Sequence, residues 1–370
     1  MSSDPAPVTS SRRSFLRSVA VVGAGVGAAN LLGPFAATPA RAADGTHPGL
    51  LHTTSGLATL RTRSAATTGQ WASGWAALRS HPESQPGRSP RPVATLDTGG
   101  PDENFPTLLG DAHAAYQNAL LWKITGEAGY GDTARTVLDA WGRTLTSVVG
   151  SPLLGQTAGI YGFVLANAAE LVRDHPEFDT ARFGTMLSDV LVPVSEAYLD
   201  AEPDACGPSY AVNWELSHLA SVQAIGVFRD DTAALDRVTG ALADTPRLMN
   251  AIPYGWDGGD CDRYSVTGLG LLAAICETAW NQGRDLYAAH DDRLLAAAEE
   301  MARHEPEPSE GPPLGVWGTS ATSPAWAILH DHYVTRRGLA APQTALLADR
   351  ARAEGGGFDL VGLGALAYHP

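Results

Sequence analysis

The chain is short of lysine. Of its 25 basic residues only Lys123 is a lysine, so nearly every cation is a planar guanidinium, charged at any working pH. Such groups grip carboxylates well but serve poorly as tunable amine bases. Cysteine is scarce too: three in 370 residues exclude a disulfide-built miniprotein and any multi-cysteine zinc site. Positive charge is outweighed, with a formal net charge of −15, which argues against a nucleic-acid partner. Phosphate loops, dinucleotide fingerprints, serine nucleophile elbows and HExxH zinc motifs are missing. Uncharged apolar runs never reach the ~20 residues of a membrane span. The rest of the composition, 44% hydrophobic and 18% charged, is one that buries a core.

The first forty residues read as an address. Arg12 and Arg13 precede an uncharged stretch over residues 18–40, apolar in its first half, and Ala40-Arg41-Ala42 has the small-x-small pattern of a cleavage site. This resembles a twin-arginine export signal. The expected organisation is a signal peptide over residues 1–42 and one domain over 43–370, secreted or periplasmic. The signal carries four arginines and one aspartate, so its removal leaves 21 basic and 39 acidic residues, a net charge of −18.

Beyond a polar, proline-rich stretch at residues 80–101, apolar residues recur at helical spacing almost to the C-terminus. The pattern predicts helices over residues 111–125, 130–146, 159–173, 180–199, 212–228, 232–249, 264–282, 292–304, 324–337 and 343–354. No strictly alternating strand appears, apart from a short candidate near the C-terminus. Short connections make neighbouring helices antiparallel hairpins. Periodicity alone leaves a ring and a solenoid equally open.

Several segments resemble the alginate lyase domain family. They are His47-Pro48-Gly49-Leu50, the run from Asp111 to Gly126, Asn167-Ala168-Ala169-Glu170, Asn213-Trp214-Glu215-Leu216, the run from Ala224 to Asp231, and the run from Ala279 to Tyr287. The resemblance implies an all-α fold, an incomplete (α/α) toroid of antiparallel helical hairpins. It also implies β-elimination of an acidic polysaccharide of alginate or glucuronan type, without a metal or other cofactor. A monomer is expected. In such lyases an asparagine, often with an arginine, neutralises the uronate carboxylate and acidifies the C5 proton. A His, Tyr or Arg takes that proton, and a tyrosine commonly protonates the departing O4.

Elimination needs donors where charge develops on the carboxylate. Asn213 matches the family's asparagine; the competing reading is a helix N-cap, which asparagine favours. Trp214 is either a sugar-stacking platform or core. A second constellation runs from Tyr254 through Trp256 and Asp257 to Arg263 and Tyr264. Here the chain departs from the family: Tyr264 stands where a histidine is expected, and the arginine is Arg263, directly beside it. Tyr264 with Arg263 is the proton-transfer assignment, since a tyrosine near its ordinary pKa of ~10 needs a nearby cation. The competing readings are helix-start packing for Tyr264 and an ion pair with Asp260 or Asp262 for Arg263. Tyr254, Trp256, Tyr161 and His113 complete the substrate-binding candidates, with His113 also the reserve base. Its spacing to Tyr116 and Gln117 puts the three on one helix face. His218 reads as structural, and Asn167 with Glu170 as helix–helix hydrogen-bonding residues. The loop aspartates could hold a cation, or with Glu215 form a hydrolase pair; a solvated acidic loop is the simpler reading. Cys206 and Cys261 flank the two candidate loops and could pair in an exported protein, or all three thiols are free. Cys276 reads as buried.

Overall fold

The computed structural model describes residues 47–65, 71–150, 154–200, 208–244, 249, 260–304 and 323–353. All of them lie in the compact unit Ala37–Pro370. In chain order the elements are α1 (Thr54–Ser64), α2 (Ala72–Ser80), β1 (Thr95–Thr98), α3 (Phe105–Thr125), α4 (Ala128–Thr144), β2 (Ser147–Gly150), α5 (Leu154–Leu171), α6 (Thr180–Met186), α7 (Val192–Asp200), α8 (Pro208–Phe228), α9 (Thr232–Asp244), α10 (Asp260–Asn281), α11 (Ala289–His304), α12 (Ala325–His330) and α13 (Pro342–Ala353).

Two kinds of helix arise from two kinds of pattern. The segments Thr157–Leu171 of α5 and Leu216–Phe228 of α8 are buried on every side, which marks central helices. By contrast α4, α9 and α11 carry one apolar stripe and lie outside. The inner helices pack in sequence, α3 on α5, α5 on α8, α8 on α10 and α10 on α12. Of the outer helices α4 packs on α3, α9 on α8 and α13 on α12, while α11 packs chiefly on α13. This is the incomplete toroid of hairpins.

The inner helices run parallel. Phe105 at the start of α3 meets Tyr161 early in α5, and Lys123 near the end of α3 pairs with Asp174 just beyond α5. Gly159 of α5 lies against Ser217 and His218 of α8, and Gly162 against Ser221. A Cβ on Gly159 would stand 2.5 Å from Ser217 Oγ and 3.0 Å from the His218 backbone nitrogen, so glycine is what lets α5 and α8 approach. The C-terminal ends of α5, α8 and α10 converge on residues 47–51. Gly49 N donates to Glu170 Oε1 at 3.0 Å and Leu51 N to Asn167 Oδ1 at 3.3 Å. Asn281 Nδ2 donates to Leu50 O at 2.7 Å and Gln282 Nε2 to Gly49 O at 2.8 Å. His47 bridges Glu170 at 2.6 Å and Asp230 at 2.8 Å. Asn167 and Glu170 therefore hold the N-terminal segment, rather than joining helix to helix as expected.

Boundaries differ from the pattern for local reasons. α3 starts at Phe105, six residues before the predicted start, with Pro106 at a first-turn position where its missing N–H costs nothing. It ends on Gly126, whose φ of 76° closes the helix onto Trp122 O. The pattern does not predict α1 and α2; they pack on α3 and on α13 respectively. The predicted 180–199 and 324–337 helices are each interrupted by a π-helical turn, Leu187–Leu191 and Asp331–Arg336. His290, Asp291 and Asp292 are left-handed, so regular α11 begins near the predicted residue 292. β1 and β2 form a two-stranded parallel pair that the pattern does not predict, since four residues are too few for alternation to register. The candidate C-terminal strand lies outside the described residues. No helix among the described residues is long and apolar enough to cross a membrane.

Candidate active site

Parallel inner helices bring their N-terminal halves to one end of the ring. There the candidates gather: His113 is the ninth residue of α3, Tyr161 the eighth of α5, Asn213 the sixth of α8 and Tyr264 the fifth of α10. At 1.5 Å per residue each lies within about 12 Å of its helix start.

Asn213 is not an N-cap, because α8 begins five residues earlier at Pro208. It sits inside the helix, where asparagine is a poor choice on propensity. The residue is 3% exposed, and its Nδ2 has no hydrogen-bond partner among the described residues. A buried donor left unmade costs about 1–3 kcal/mol, a burden kept where function requires it.

Tyr161 is buried, with its ring edge-on to Phe105 at 5.3 Å and to His113 at 6.4 Å. Its hydroxyl has no partner among the described residues, and burial pushes its pKa well above the usual phenol value. The group therefore stays protonated. Among the described residues His113 Nε2 has no partner; burial, with a lesser push from neighbouring His81, lowers its pKa to about 4. It is a neutral imidazole over the ordinary range. The shared face expected of His113, Tyr116 and Gln117 is divided in the structure. Tyr116 turns to His52, with 2.7 Å between its hydroxyl and His52 Nε2, while His113 meets Tyr161 and Gln117 lies against His81.

Trp214 is half-buried and neighbours Tyr198 of α7, ring centres 6.1 Å apart. His218 points away from Asn213, as its spacing implies. Its Nδ1 lies 3.0 Å from Ser195 Oγ, and burial lowers its pKa to about 3. Cys276 is a free, fully buried thiol, as expected.

Tyr254, Trp256, Asp257 and Cys206 lie outside the described residues. Arg263, Tyr264 and Cys261 stand in the first turns of α10, where the helix is described and their side chains are not. Sequence reasoning misses His81, Ser195 and Tyr198. His81 lies in the proline-rich stretch without periodicity. Ser195 and Tyr198 are hidden in a helix read only for its apolar stripe, although their three-residue spacing puts them on one face.

The alginate lyase family model matches residues 107–310. No curated protein matches the chain. Among solved structures, an alginate lyase from Bacteroides ovatus is similar at TM-score 0.61 and 12% identity, covering 87% of this chain and 99% of that one. Alginate lyase A1-III from Sphingomonas species A1 is similar at TM-score 0.54 and 17% identity, covering 85% of this chain and 95% of that one. A histidine-to-alanine variant of A1-III, complexed with a tetrasaccharide, is similar at TM-score 0.53 and 17% identity, covering 88% and 99%. At these identities the structures speak for the fold. The family model spans more than half of the chain, and on that ground this protein belongs to the alginate lyase family and is a polysaccharide lyase.

Proposed function

We propose that the protein cleaves a uronate-containing polysaccharide of alginate or glucuronan type by β-elimination, with Asn213 as the carboxylate-stabilising residue. The observation that carries this is the buried Nδ2 of Asn213, without a partner among the described residues, inside an inner helix at the site end. Its N–H donates to the uronate carboxylate, and the bond strengthens as charge moves onto that group when C5 loses its proton. Arg263, next to Tyr264 in sequence, adds a cation to the same carboxylate. The C5–H bond breaks, its electron pair forms the C4=C5 double bond, and the C4–O4 bond breaks. Tyr264 as phenolate takes the C5 proton and returns it to the departing O4, so the phenolate is regenerated.

A second assignment of the proton transfer rests on described side chains. His113 is neutral with a free Nε2 and can accept a proton, and Tyr161 is a protonated phenol beside it. Base and acid would then be separate groups. Export through the twin-arginine pathway, with residues 1–42 removed, completes the proposal and is supported by the Arg12-Arg13 motif.

The test incubates the protein with alginate and glucuronan, following ultraviolet absorbance of the conjugated double bond alongside reducing ends. Elimination raises both signals. Reducing ends without absorbance would mean hydrolysis and refute the reading. Tyr264→Phe and His113→Gln then separate the two assignments, because the variant that abolishes turnover identifies the base.

A further inference from the structure

Trp214 is the half-buried aromatic beside Asn213, and the structure shows what holds it. α7 and α8 run antiparallel, since Ser195 meets His218 while Tyr198, one turn later, reaches back to Trp214. Trp214 and His218 are four residues apart and share a face of α8. Tyr198 lies across that face, stacked on His218 with ring centres 4.3 Å apart and planes at 28°, and tilted at 56° to Trp214. His218 is in turn fixed by Ser195 Oγ at 3.0 Å. The π-helical turn Leu187–Leu191 directly precedes α7. Such turns carry an extra residue and shift the register of the next helical segment; here Ser195 and Tyr198 face α8.

This arrangement differs from core packing. Trp141 and Trp326 are wholly buried, whereas Trp214 keeps an exposed part at the site end.

We propose that Tyr198 is a positioning residue for glycan binding: braced by His218 and Ser195, its ring fixes the plane of Trp214, on which a uronic-acid pyranose ring stacks beside Asn213. The inference rests on the lyase reading and names a binding determinant for it. An aromatic face suits the C–H face of a sugar ring, and Trp214, about 100° round α8 from Asn213, holds a ring that flanks the donor rather than lying on its face. Because the role is orientation, it affects binding and not the proton transfer.

The experiment measures KM and kcat on the uronan that wild type cleaves best, with Tyr198→Ala, Tyr198→Phe, Trp214→Ala and the Tyr198→Ala/Trp214→Ala double variant. Tyr198→Ala raises KM about tenfold, at the upper end of what aromatic pairs contribute, and leaves kcat near wild type. Tyr198→Phe keeps the ring and restores the wild-type KM. The double variant is no worse than Trp214→Ala alone, because both changes remove one interaction. An unchanged KM in Tyr198→Ala, a loss confined to kcat, or additive effects would overturn the proposal. Should Tyr198→Ala not fold, Tyr198→Leu, which fills the space without the stack, carries the same test. A wild-type protein inactive on every uronan would instead refute the lyase reading, before any variant is compared.

Discussion

Replacing Asn213 with alanine moves activity and stability in different directions, and the structure sets both magnitudes. In the proposed reaction the carboxamide donates to the substrate carboxylate, and losing one donor of this kind lowers kcat by about 10²–10³-fold. Stability responds otherwise. Asn213 is 3% exposed and its Nδ2 has no partner among the described residues, so the native state carries an unmade hydrogen bond of about 1–3 kcal/mol. Alanine removes that burden and leaves a cavity of roughly 40 Å³, costing about 1 kcal/mol at ~24 cal/mol per Å³. The net is between no change and about 2 kcal/mol of added stability. The assay pairs initial rates of double-bond absorbance with urea unfolding of the same preparations. A variant that keeps the wild-type kcat refutes the role of Asn213. A variant that loses both activity and stability refutes the reasoning about the orphaned donor, since the side chain would then be structural.

Other outcomes rest on other parts of the fold. The pKa of His47 is raised from its ordinary 6.5, first by its hydrogen bond to Glu170. The stability it contributes is therefore full below about pH 6.5 and lost as pH rises through the raised value. The melting-temperature gap between wild type and His47→Gln should be widest in mild acid and shrink toward alkaline pH. Gly159→Ala should destabilise by about 1–3 kcal/mol in urea melts, because its Cβ meets α8 backbone as well as a side chain. Arg336 pairs with buried Glu277 at 3.0 Å and with Asp331 at 2.6 Å. Arg336→Met should cost about 2–4 kcal/mol, discounted because the guanidinium is partly solvated, and calorimetry would show the fall in melting temperature.

How far the sequence could be read depends on what each signal encodes. Inner helices are apolar on all sides and outer ones are striped, so helix class is legible in α5 and α4 alike. Capping residues and breaks place most ends within a few residues, with Gly126 the clearest. The two π-helical turns are not legible, because one extra residue per turn leaves the apolar spacing nearly intact. β1 and β2 are too short to alternate. Asn213 is legible through the family's pattern, yet its place in the second turn, which removes the N-cap reading, needs the true start of α8. Tyr198 and His81 depend on neighbours far along the chain, and no local pattern carries that information. Asp257, the centre of the acidic loop, lies outside the described residues, and family membership assigns elimination in place of a hydrolytic pairing with Glu215.

The parallel course of the inner helices also settles an electrical puzzle. A chain of net charge −15 should repel a polyanion. Yet each helix behaves as though about half a positive charge sits at its N-terminus and half a negative one at its C-terminus. With α3, α5, α8 and α10 aligned, four positive ends face the candidate site and four negative ends face away. At the far end Glu170 and Asp230 share His47, and Arg61 donates to the Lys123 carbonyl. The ring is thus a polarised body whose sign at the mouth is set by backbone direction. It can draw an acidic chain inward with few charged side chains, which is how a protein with a single lysine can meet a polyuronate.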